Sequence, residues 1–340
     1  MKKIEELVSN SMKNKLSKKE QPDWLSPMLA TLSHEHFSNE NWIYEQKLDG
    51  ERCLAFKSGK EIKLMSRNKK KLNERYPEII DVLTELKGGD FIIDGEIVAF
   101  DGNITSFSKL QERMHLTSKK EVKQSDVDVF YYIFDICYAN GYDLTSLPLT
   151  ERKNILKHLL SFEEPVRILD YREKEGEKFL SEACKKGWEG LIAKKKNSKY
   201  AHSRSKNWLK FKCSKRQELI IIGYTDPQGE RKGFGALLMG YYSQGELVYA
   251  GKVGTGYTDD FLEQFSQRLK KIETKKPPLD KQEFNEDDVH WVQPEIVGEV
   301  AFTEWTDTGK LRHPSFLGIR EDKKPEQVVN EDERSKKEDA

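Results

Sequence analysis

Short stretches of alternating polar and apolar residues, separated by glycine-containing turns, occur in two parts of this 340-residue chain. The first part covers residues 42–100 and the second begins at about residue 216. A period of two predicts strands with one face in a core, and strands joined by short turns pair antiparallel. Helical patterns lie between the strands of the first part, so we expect an α+β fold.

The change of pattern near residue 216 also predicts a domain boundary, since single cores rarely grow beyond roughly 250–300 residues. We predict one domain over 23–215, with antiparallel sheets and helices, and another over 216–325. The second has five predicted strands and one helix, which suits a β-barrel of the OB type. Residues 1–22 are interpreted as a short helix or a flexible N-terminal arm, and the charged residues 326–340 as a disordered tail.

Periodicity also predicts the individual elements. The predicted helices cover residues 77–86, 107–114, 150–161, 175–186 and 259–272. The predicted strands cover residues 42–48, 52–57, 61–66, 91–100, 130–138, 190–195, 218–224, 235–243, 246–253, 289–292 and 296–304. Thr258 is expected to cap the last helix, and Gly187 to end the helix before it.

Composition limits the classes of function. Lysine plus arginine and aspartate plus glutamate both number 58, so net charge does not indicate a nucleic-acid partner. The cysteines lack the spacing of a zinc site or a disulfide framework, which predicts reduced thiols in small core positions of a cytosolic protein. They are Cys53, Cys137, Cys184 and Cys213. No signal peptide and no apolar run of ~18 residues is found, so we expect a cytoplasmic protein with no membrane partner.

Lys47 lies at the end of the first predicted strand, in residues 42–52 (Trp-Ile-Tyr-Glu-Gln-Lys-Leu-Asp-Gly-Glu-Arg). If alternation continues through this segment, Glu45, Lys47 and Asp49 share a face, and two carboxylates flank one amine. A lysine is a nucleophile only when neutral, so that role needs burial, a nearby cation or a metal. A hairpin turn with solvated charges explains the same residues, and this segment alone does not decide between the two.

Residues 194–216 hold ten lysines and arginines, three aromatic residues and no acid. Such a run is usually a solvated face or loop. On a strand, however, Lys210 and Lys212 lie on the same face, about 7 Å apart. Two ammonium groups this close repel each other unless an anion lies between them, and a phosphate group suits the pair.

Single residues give weaker signals. Glu96 and Glu189 each lie beside a glycine, where either can hold a sugar hydroxyl or a hard metal ion, although a solvated carboxylate explains each one taken singly. Phe134 lies mid-strand, where a core role is the default. His34 and His36 are spaced as metal ligands can be, but without a third ligand type nearby we interpret them as loop residues.

Six motifs, taken together and in order, resemble those of the covalent nucleotidyltransferases: ATP-dependent DNA ligases, RNA ligases and mRNA capping enzymes. They are residues 47–52 (Lys-Leu-Asp-Gly-Glu-Arg), 66–68 (Ser-Arg-Asn), 94–96 (Asp-Gly-Glu), 132–135 (Tyr-Ile-Phe-Asp), 189–194 (Glu-Gly-Leu-Ile-Ala-Lys) and 208–212 (Trp-Leu-Lys-Phe-Lys). The first matches the nucleophile pattern Lys-x-Asp-Gly-x-Arg. Residues 233–238, 250–256 and 311–323 resemble the ligase module of the bacterial end-joining ligases called DNA ligase D.

This resemblance implies an ATP-dependent DNA ligase with a nucleotidyltransferase (adenylation) domain followed by an OB-fold domain. It implies that Lys47 attacks the α-phosphate of ATP, that AMP passes from the lysine to a DNA 5′-phosphate, and that the 3′-hydroxyl then displaces it. The implied nucleotide-binding residues are Glu45, Leu48, Arg52, Arg67, Glu96, Phe134, Arg204, Lys210, Lys212 and Arg320. The implied ligands of Mg²⁺, or of Mn²⁺, are Asp49 and Glu189.

The resemblance also implies roles for these residues. Glu45 accepts from the adenine amino group, Phe134 stacks on the base, and Glu96 holds the ribose. Lys210 and Lys212 neutralise the α-phosphate, and as nearby cations they favour the neutral form of the nucleophile. The three arginines of the first domain hold ribose or phosphates.

In the second domain, the resemblance implies that Arg320, Asp322 and Lys323 close over pyrophosphate in the first step. This closure requires a hinge near residues 213–217. The implied substrate is nicked or broken duplex DNA, in repair, recombination or non-homologous end joining. We expect a monomer in the bacterial cytoplasm, at the nucleoid when on DNA, with a Ku-like end-binding partner. The alternatives are an RNA ligase or capping-type enzyme and a non-catalytic nucleic-acid-binding protein.

Overall fold

The computed structural model describes residues 3–33, 35–114, 116, 121–122, 124–213, 215–279, 289–306 and 308–331. The chain divides into two compact units, Met1–Cys213 and Ser214–Ala340. Each unit contains a hydrophobic core of its own. Across the described ranges, no helix combines the length and the apolar character needed to cross a membrane.

The first unit contains helices α1 (Ile4–Leu7), α2 (Pro77–Glu85), α3 (Phe107–Met114), α4 (Leu149–Leu159) and α5 (Gly176–Lys185), and the second contains α6 (Asp259–Lys270). The strands of the first unit are β1 (Ser17–Lys18), β2 (Leu29–Leu32), β3 (Trp42–Gln46), β4 (Glu51–Ser58), β5 (Glu61–Ser66), β6 (Phe91–Asp101), β7 (Ile104–Thr105), β8 (Val129–Ala139), β9 (Tyr142–Asp143), β10 (Val166–Ile168), β11 (Tyr171–Glu173), β12 (Gly190–Lys195) and β13 (Arg204–Lys212). Those of the second are β14 (Lys215–Thr225), β15 (Leu237–Ser243), β16 (Glu246–Val253), β17 (Val289–Phe302), β18 (Glu304–Trp305), β19 (Leu311–Arg312) and β20 (Ser315–Ile319).

Two sheets form the first unit. The larger has the strand order β1-β9-β8-β6-β4-β5, with β10 beside β8 and β7 beside β6, and the smaller has the order β11-β3-β12-β13-β2. One face of each sheet contributes to a shared apolar cluster that includes Leu54, Phe134 and Trp208. The other face of the larger sheet packs against α2, α3 and α4, and that of the smaller sheet against α5. Residues on the inner faces are therefore the ones that can line a site between the sheets.

The second unit is a five-stranded sheet of order β16-β15-β14-β17-β20 with α6 packed on its core. The predicted cap of α6 is confirmed, because the Thr258 side chain accepts a hydrogen bond from the backbone N–H of Phe261 (3.3 Å). Leu262, Phe265 and Leu269 are the buried apolar face of the helix. The sheet has the five strands and the unit has the helix expected of an OB-type domain, but β20 was not among the predicted strands.

One pair of predicted strands, 289–292 and 296–304, is wrong, since both belong to the single strand β17. Proline cannot donate a hydrogen bond to a neighbouring strand. Pro294 is accommodated at a register irregularity, where β14 pairs Ile221 with Ile296 and then Gly223 with Trp291. Bulges are where strands tolerate proline.

Of the two interpretations of the N-terminal segment, the short helix is confirmed as α1 (Ile4–Leu7), and the segment packs on the first unit through a few apolar side chains. Ile4, Leu7 and Val8 are buried in the core of the first unit, and β1 pairs with β9. Three well-spaced apolar side chains are enough to dock a short segment that composition alone makes look disordered. Of the two loop histidines, His34 lies outside the described residues, and the His36 ring packs 5.0 Å from an aromatic ring of β13.

The predicted disordered tail is likewise wrong for residues 326–331. Val328 is buried, its carbonyl accepts from the backbone N–H of Tyr242 (2.8 Å), and the side chain of Gln217 donates to the carbonyl of Val329 (2.7 Å). Backbone pairing of this kind does not depend on side-chain hydrophobicity, so the charged composition gave no sign of it. Residues 332–340 of the predicted tail lie outside the described ranges.

The cysteines divide into two kinds. Cys184 and Cys213 form a disulfide across 29 positions of sequence, so the prediction of reduced thiols is wrong for these two. Cys184 lies in α5 and Cys213 directly follows β13, and the packing of α5 on the smaller sheet brings them together. Cys53 and Cys137 are free and buried, as predicted, and burial raises the pKa of both thiols well above the ordinary value.

Reducing the disulfide should lower the free energy of unfolding of the first unit by about 2–4 kcal/mol, because the bond restricts the unfolded chain. Urea unfolding of the oxidised protein, with and without dithiothreitol, measures this difference. A Cys184→Ala/Cys213→Ala variant should match the reduced protein and be insensitive to dithiothreitol. Equal unfolding midpoints for the oxidised and reduced protein would contradict the prediction.

Candidate active site

Lys47 directly follows β3, whose last residue is Gln46. Its backbone N–H donates to the carbonyl of Gly190 (2.9 Å), which extends the pairing with β12 by one residue. Its Nζ lies 2.5 Å from a carboxylate oxygen of Glu189. The side chain of Lys47 is 20% exposed and that of Glu189 only 4%. A buried acid thus holds an amine that solvent still reaches.

Asp49 lies in the turn between β3 and β4, so the predicted strand over 42–48 is wrong at its end. Strand alternation therefore does not place Asp49 on the face of Glu45 and Lys47. Gly50 gives the physical reason for the early turn, because the chain passes so close to β6 that a Cβ here would lie 2.2 Å from the carbonyl oxygen of Ile97. The backbone N–H of Asp49 donates to a threonine hydroxyl of β7 (3.2 Å).

Register across the smaller sheet aligns the basic residues of β13 with β12 and β3. Lys212 is opposite Gly190, and Lys210 is opposite Ile192, which in turn is opposite Glu45. Residues in register on neighbouring strands point to the same face. Glu45, Lys210 and Lys212 therefore project from the face that packs toward the larger sheet.

Glu45 is buried between two lysines. Lys194 Nζ lies 2.6 Å from one carboxylate oxygen, and Lys153 Nζ, from α4, contacts the other. Burial lowers the pKa of Lys194 to about 8, with Glu45 opposing the shift and Lys153 adding to it. Sequence reasoning placed Lys194 in the basic run and missed Lys153, because a buried lysine in a helix has no periodic signature that separates it from an exposed one.

Phe134 has a cation near its ring from each sheet. The guanidinium carbon of Arg52 lies 4.6 Å from the ring centroid and Lys194 Nζ lies 4.1 Å from it. Arg52 also donates two hydrogen bonds of 2.6 Å to Asp94, which accepts a third from the Tyr200 hydroxyl (2.6 Å). Burial disfavours the charge of Arg52, but Asp94 outweighs this effect and raises the arginine pKa.

The remaining predicted residues of the first unit lie at strand positions around this centre. Glu96 on β6 is directly opposite Arg52 on β4. Arg67 lies in the turn after β5, and Arg204 is the first residue of β13, where its side chain donates to a backbone carbonyl of β2. Leu48 is buried in the apolar cluster between the sheets. These residues therefore come from strands and turns of both sheets.

Arg320 belongs to the second unit, immediately after β20. Its guanidinium donates to Asp322 (2.9 and 3.0 Å) and to Glu299 (2.9 Å), and the side chain is 11% exposed. Burial disfavours its charge, but these carboxylates outweigh burial and raise its pKa. Lys323 pairs with Glu218 at 2.8 Å. The predicted closing residues are thus bound to acids of their own unit.

The residues of this site provide only part of a metal ligand set. The described parts of the chain contain no group of three or more His, Cys, Asp or Glu side chains placed to hold a metal. Magnesium in proteins is often held by one or two carboxylates, with phosphates and water completing the shell. Glu189 and Asp49 have the oxygen chemistry for that mode, and Glu189 contacts Lys47 in this structure.

Known families match both units of the chain. A family model described as "ATP dependent DNA ligase domain" matches residues 27–212, more than half of the chain. A second, described as "ATP dependent DNA ligase C terminal region", matches residues 230–323. The two matches leave the segment between them, which includes β14, outside both.

Relatives share moderate identity along most of the chain. The "Multifunctional non-homologous end joining protein LigD" of Pseudomonas aeruginosa is 36% identical over 318 residues, which are 91% of this chain and 37% of LigD. The corresponding LigD of Mycobacterium tuberculosis is 32% identical over 315 residues, 91% of this chain and 40% of that protein. The "DNA ligase" of Sulfophobococcus zilligii is 33% identical, covering 85% of this chain and 53% of the ligase. The chain therefore spans about half or less of each relative.

A solved structure, "mycobacterial DNA ligase D complexed with ATP and MES", matches with a TM-score of 0.66 and 30% identity, covering 90% of this chain and 98% of that one. The predicted α+β architecture, a nucleotidyltransferase domain followed by an OB-fold domain, is confirmed. RNA ligases, capping enzymes and non-catalytic binding proteins are not favoured by these matches. The chain belongs to the ATP-dependent DNA ligase family.

Proposed function

We propose that Lys47 is the nucleophile of this ligase. The observation that carries the proposal is the contact of Lys47 Nζ with Glu189 (2.5 Å) beside the strand that holds Lys210 and Lys212. The amine attacks the α-phosphorus of ATP, so that a P–N bond forms and the bond to pyrophosphate breaks. The attacking amine must lose a proton, and Glu189 lies at hydrogen-bond distance to accept it.

The later steps reuse the same phosphorus chemistry. An oxygen of the DNA 5′-phosphate attacks the phosphorus of lysyl-AMP, and Lys47 leaves. The 3′-hydroxyl then attacks the 5′-phosphate, forming the phosphodiester bond and releasing AMP. Lys210 and Lys212 share the inner face beside Lys47, where their ammonium groups would stabilise negative charge developing on the phosphate oxygens.

The nucleoside would lie between the inner faces of the two sheets. Glu45 would accept from the adenine 6-amino group, Phe134 would stack on the base and Glu96 would hold the ribose. Arg52 is fixed by Asp94, so it would present its remaining N–H groups and its planar face from a constant position. Leu48, Arg67 and Arg204 complete the proposed nucleotide contacts.

Arg320 is proposed to bind the pyrophosphate end of ATP, helped by Asp322 and Lys323. A hinge near residues 213–217 would bring them to the nucleotide. Asp322 and Glu299 hold the arginine in its own unit, so its contacts with them would be exchanged in part for phosphate oxygens.

A divalent ion, Mg²⁺ or Mn²⁺, is proposed as the second cofactor. Glu189 and Asp49 would hold it through oxygen, and when bound it would neutralise phosphate charge during nucleotidyl transfer. Because Glu189 also contacts Lys47, the same carboxylate would align the nucleophile with the phosphate.

The cellular role is proposed to be DNA repair by end joining. Two LigD relatives carry non-homologous end joining in their names, and this chain matches 37% and 40% of their lengths. Its substrate would be nicked or broken duplex DNA, and its partner would be a Ku-like end-binding protein. The enzyme would be a cytoplasmic monomer that is located at the nucleoid when it is bound to DNA.

Lys47→Ala should abolish covalent labelling by α-labelled ATP and divalent metal, because no other amine of the site would form the P–N bond. A denaturing gel measures the label. The variant should still seal a nick that already carries AMP, since that step does not use the lysine. Lys60→Ala, in the exposed turn between β4 and β5, should label like the wild type. Labelled Lys47→Ala protein would refute the assignment.

Gly190→Ala should slow lysyl-AMP formation by about 100-fold, as misplacements near 1 Å can do. Gly190 has φ +147°, and a Cβ there would lie 2.0 Å from the carbonyl oxygen of Phe211, so β12 must move away from β13. Glu189 and Lys212 would shift with it. Gly59→Ala is the matched control, with φ +57° and open space around the added methyl group. Similar labelling rates for both variants would show that the strand contact does not matter.

The repair role predicts a dependence on an end-binding partner. Sealing of a nicked duplex should proceed with the ligase alone, because the nick holds its ends together. Joining of blunt duplexes should be weak alone and rise at least tenfold when a Ku protein is added, as expected for raised effective concentration of ends. Gel separation of products measures both. Blunt-end joining that Ku leaves unchanged would contradict the proposed partner.

A further inference from the structure

The pocket around Glu45 contains one carboxylate for two ammonium groups, contributed by three different elements. Glu45 comes from β3, Lys194 from β12 and Lys153 from α4. Their side chains are 1%, 2% and 7% exposed. Burying charges in this way is costly unless they are paired and hydrogen-bonded. Each ammonium group carries three N–H donors, so a single carboxylate does not use all of them, and a further acceptor can be accommodated.

The hydrogen bonding of Glu45 and Lys194 also indicates a further partner. Within the described ranges, neither Glu45 Oε1 nor Lys194 Nζ has a hydrogen-bond partner of good geometry, although both atoms are buried and ion-paired. Buried polar atoms normally have such partners, supplied by protein, water or a ligand. A carboxylate oxygen has two lone pairs and an ammonium group three N–H donors, so an acceptor and a donor with remaining capacity lie side by side. Lys194 Nζ is 4.1 Å from the Phe134 ring centroid.

An adenine edge supplies the complementary pair. Its 6-amino group donates and its adjacent ring nitrogen accepts, which matches a carboxylate oxygen next to an ammonium group. Glu45 can serve only if its carboxylate is held in one orientation. Lys194 holds Oε2 from one side, and Lys153 holds Oε1 from the other.

Lys153 is itself held in place. Its Nζ lies 5.1 Å from the ring centroid of Tyr171 on β11, and Tyr171 is in register with Glu45 on the neighbouring strand. The lysine thus fills the space between Glu45 and an aromatic face. This arrangement leaves the Glu45 carboxylate little freedom to rotate.

We infer that Lys153 is a positioning residue for base recognition, which keeps the Glu45 carboxylate aimed at the 6-amino group of adenine. The inference rests on the proposed function of Glu45. Lys153 touches neither the reacting phosphate nor Lys47 in this account, so it should affect nucleotide affinity and base selectivity rather than the chemical step.

The test compares ATP with purine riboside triphosphate, which lacks the 6-amino group. The rate of covalent labelling of the protein is measured with each nucleotide. Lys153→Met should raise the KM for ATP by about tenfold with kcat nearly unchanged, because a charged hydrogen-bond network is loosened. With purine riboside triphosphate the variant and the wild type should differ by less than about twofold, since the group that Glu45 reads is missing.

Two further variants make the result specific. Lys153→Arg keeps the cation and should restore most of the preference for ATP. Lys157→Met, one turn further along α4 and exposed, is the matched control and should behave as the wild type. Thermal unfolding of each variant checks that the fold is retained.

Each of the other possible outcomes contradicts a specific part of the proposal. An unchanged KM for ATP in Lys153→Met, or an equal loss with both nucleotides, overturns the inference and leaves a structural role. A wild-type enzyme that uses both nucleotides equally well overturns the role of Glu45 and the inference with it. Wild-type protein that takes up no label from ATP overturns the nucleophile proposal instead, so the failures are distinguishable.

Discussion

The pairing of β12 with β3 on one side and with β13 on the other is the constraint on which the site depends. It places Glu189 against Lys47 and sets Lys210 and Lys212 on the face that carries Glu45. Gly190 permits the close approach, because any larger residue would meet the backbone of β13. Main-chain hydrogen bonds thus fix side chains that would repel each other if left free.

Buried ion pairs then fix the side chains around the proposed nucleotide site. Arg152 donates to Asp135 at 2.7 and 2.8 Å with both side chains fully buried, directly beside Phe134 in sequence. Arg52 and Asp94 form a similar pair on the neighbouring strands. Such pairs add little net stability over apolar packing, but breaking one is costly. Their contribution is orientation, which suits the proposed nucleotide site.

Much of the fold could be predicted because its signals are local. The helix over Phe107–Met114 and the strand over Gly190–Lys195 have the predicted bounds, and Gly187 ends α5 with φ +76° as expected. The wrong predictions of secondary structure share a cause, because they rest on local composition and pattern, which do not record packing partners elsewhere in the chain. The docked N-terminal segment, the paired tail and the strand through Pro294 each depend on contacts with distant parts of the chain.

The candidate site likewise has features that the sequence predicts and features that depend on the tertiary structure. The sequence by itself determined the family resemblance, the nucleophile candidate and the residue types of the phosphate and metal contacts, because these are carried by short contiguous motifs. Only the tertiary structure decided that Lys153 joins Lys194 on Glu45, that Asp49 leaves the strand, and that Cys184 meets Cys213. The physical reason is that burial and pairing are properties of residues far apart in sequence, and no local period records them.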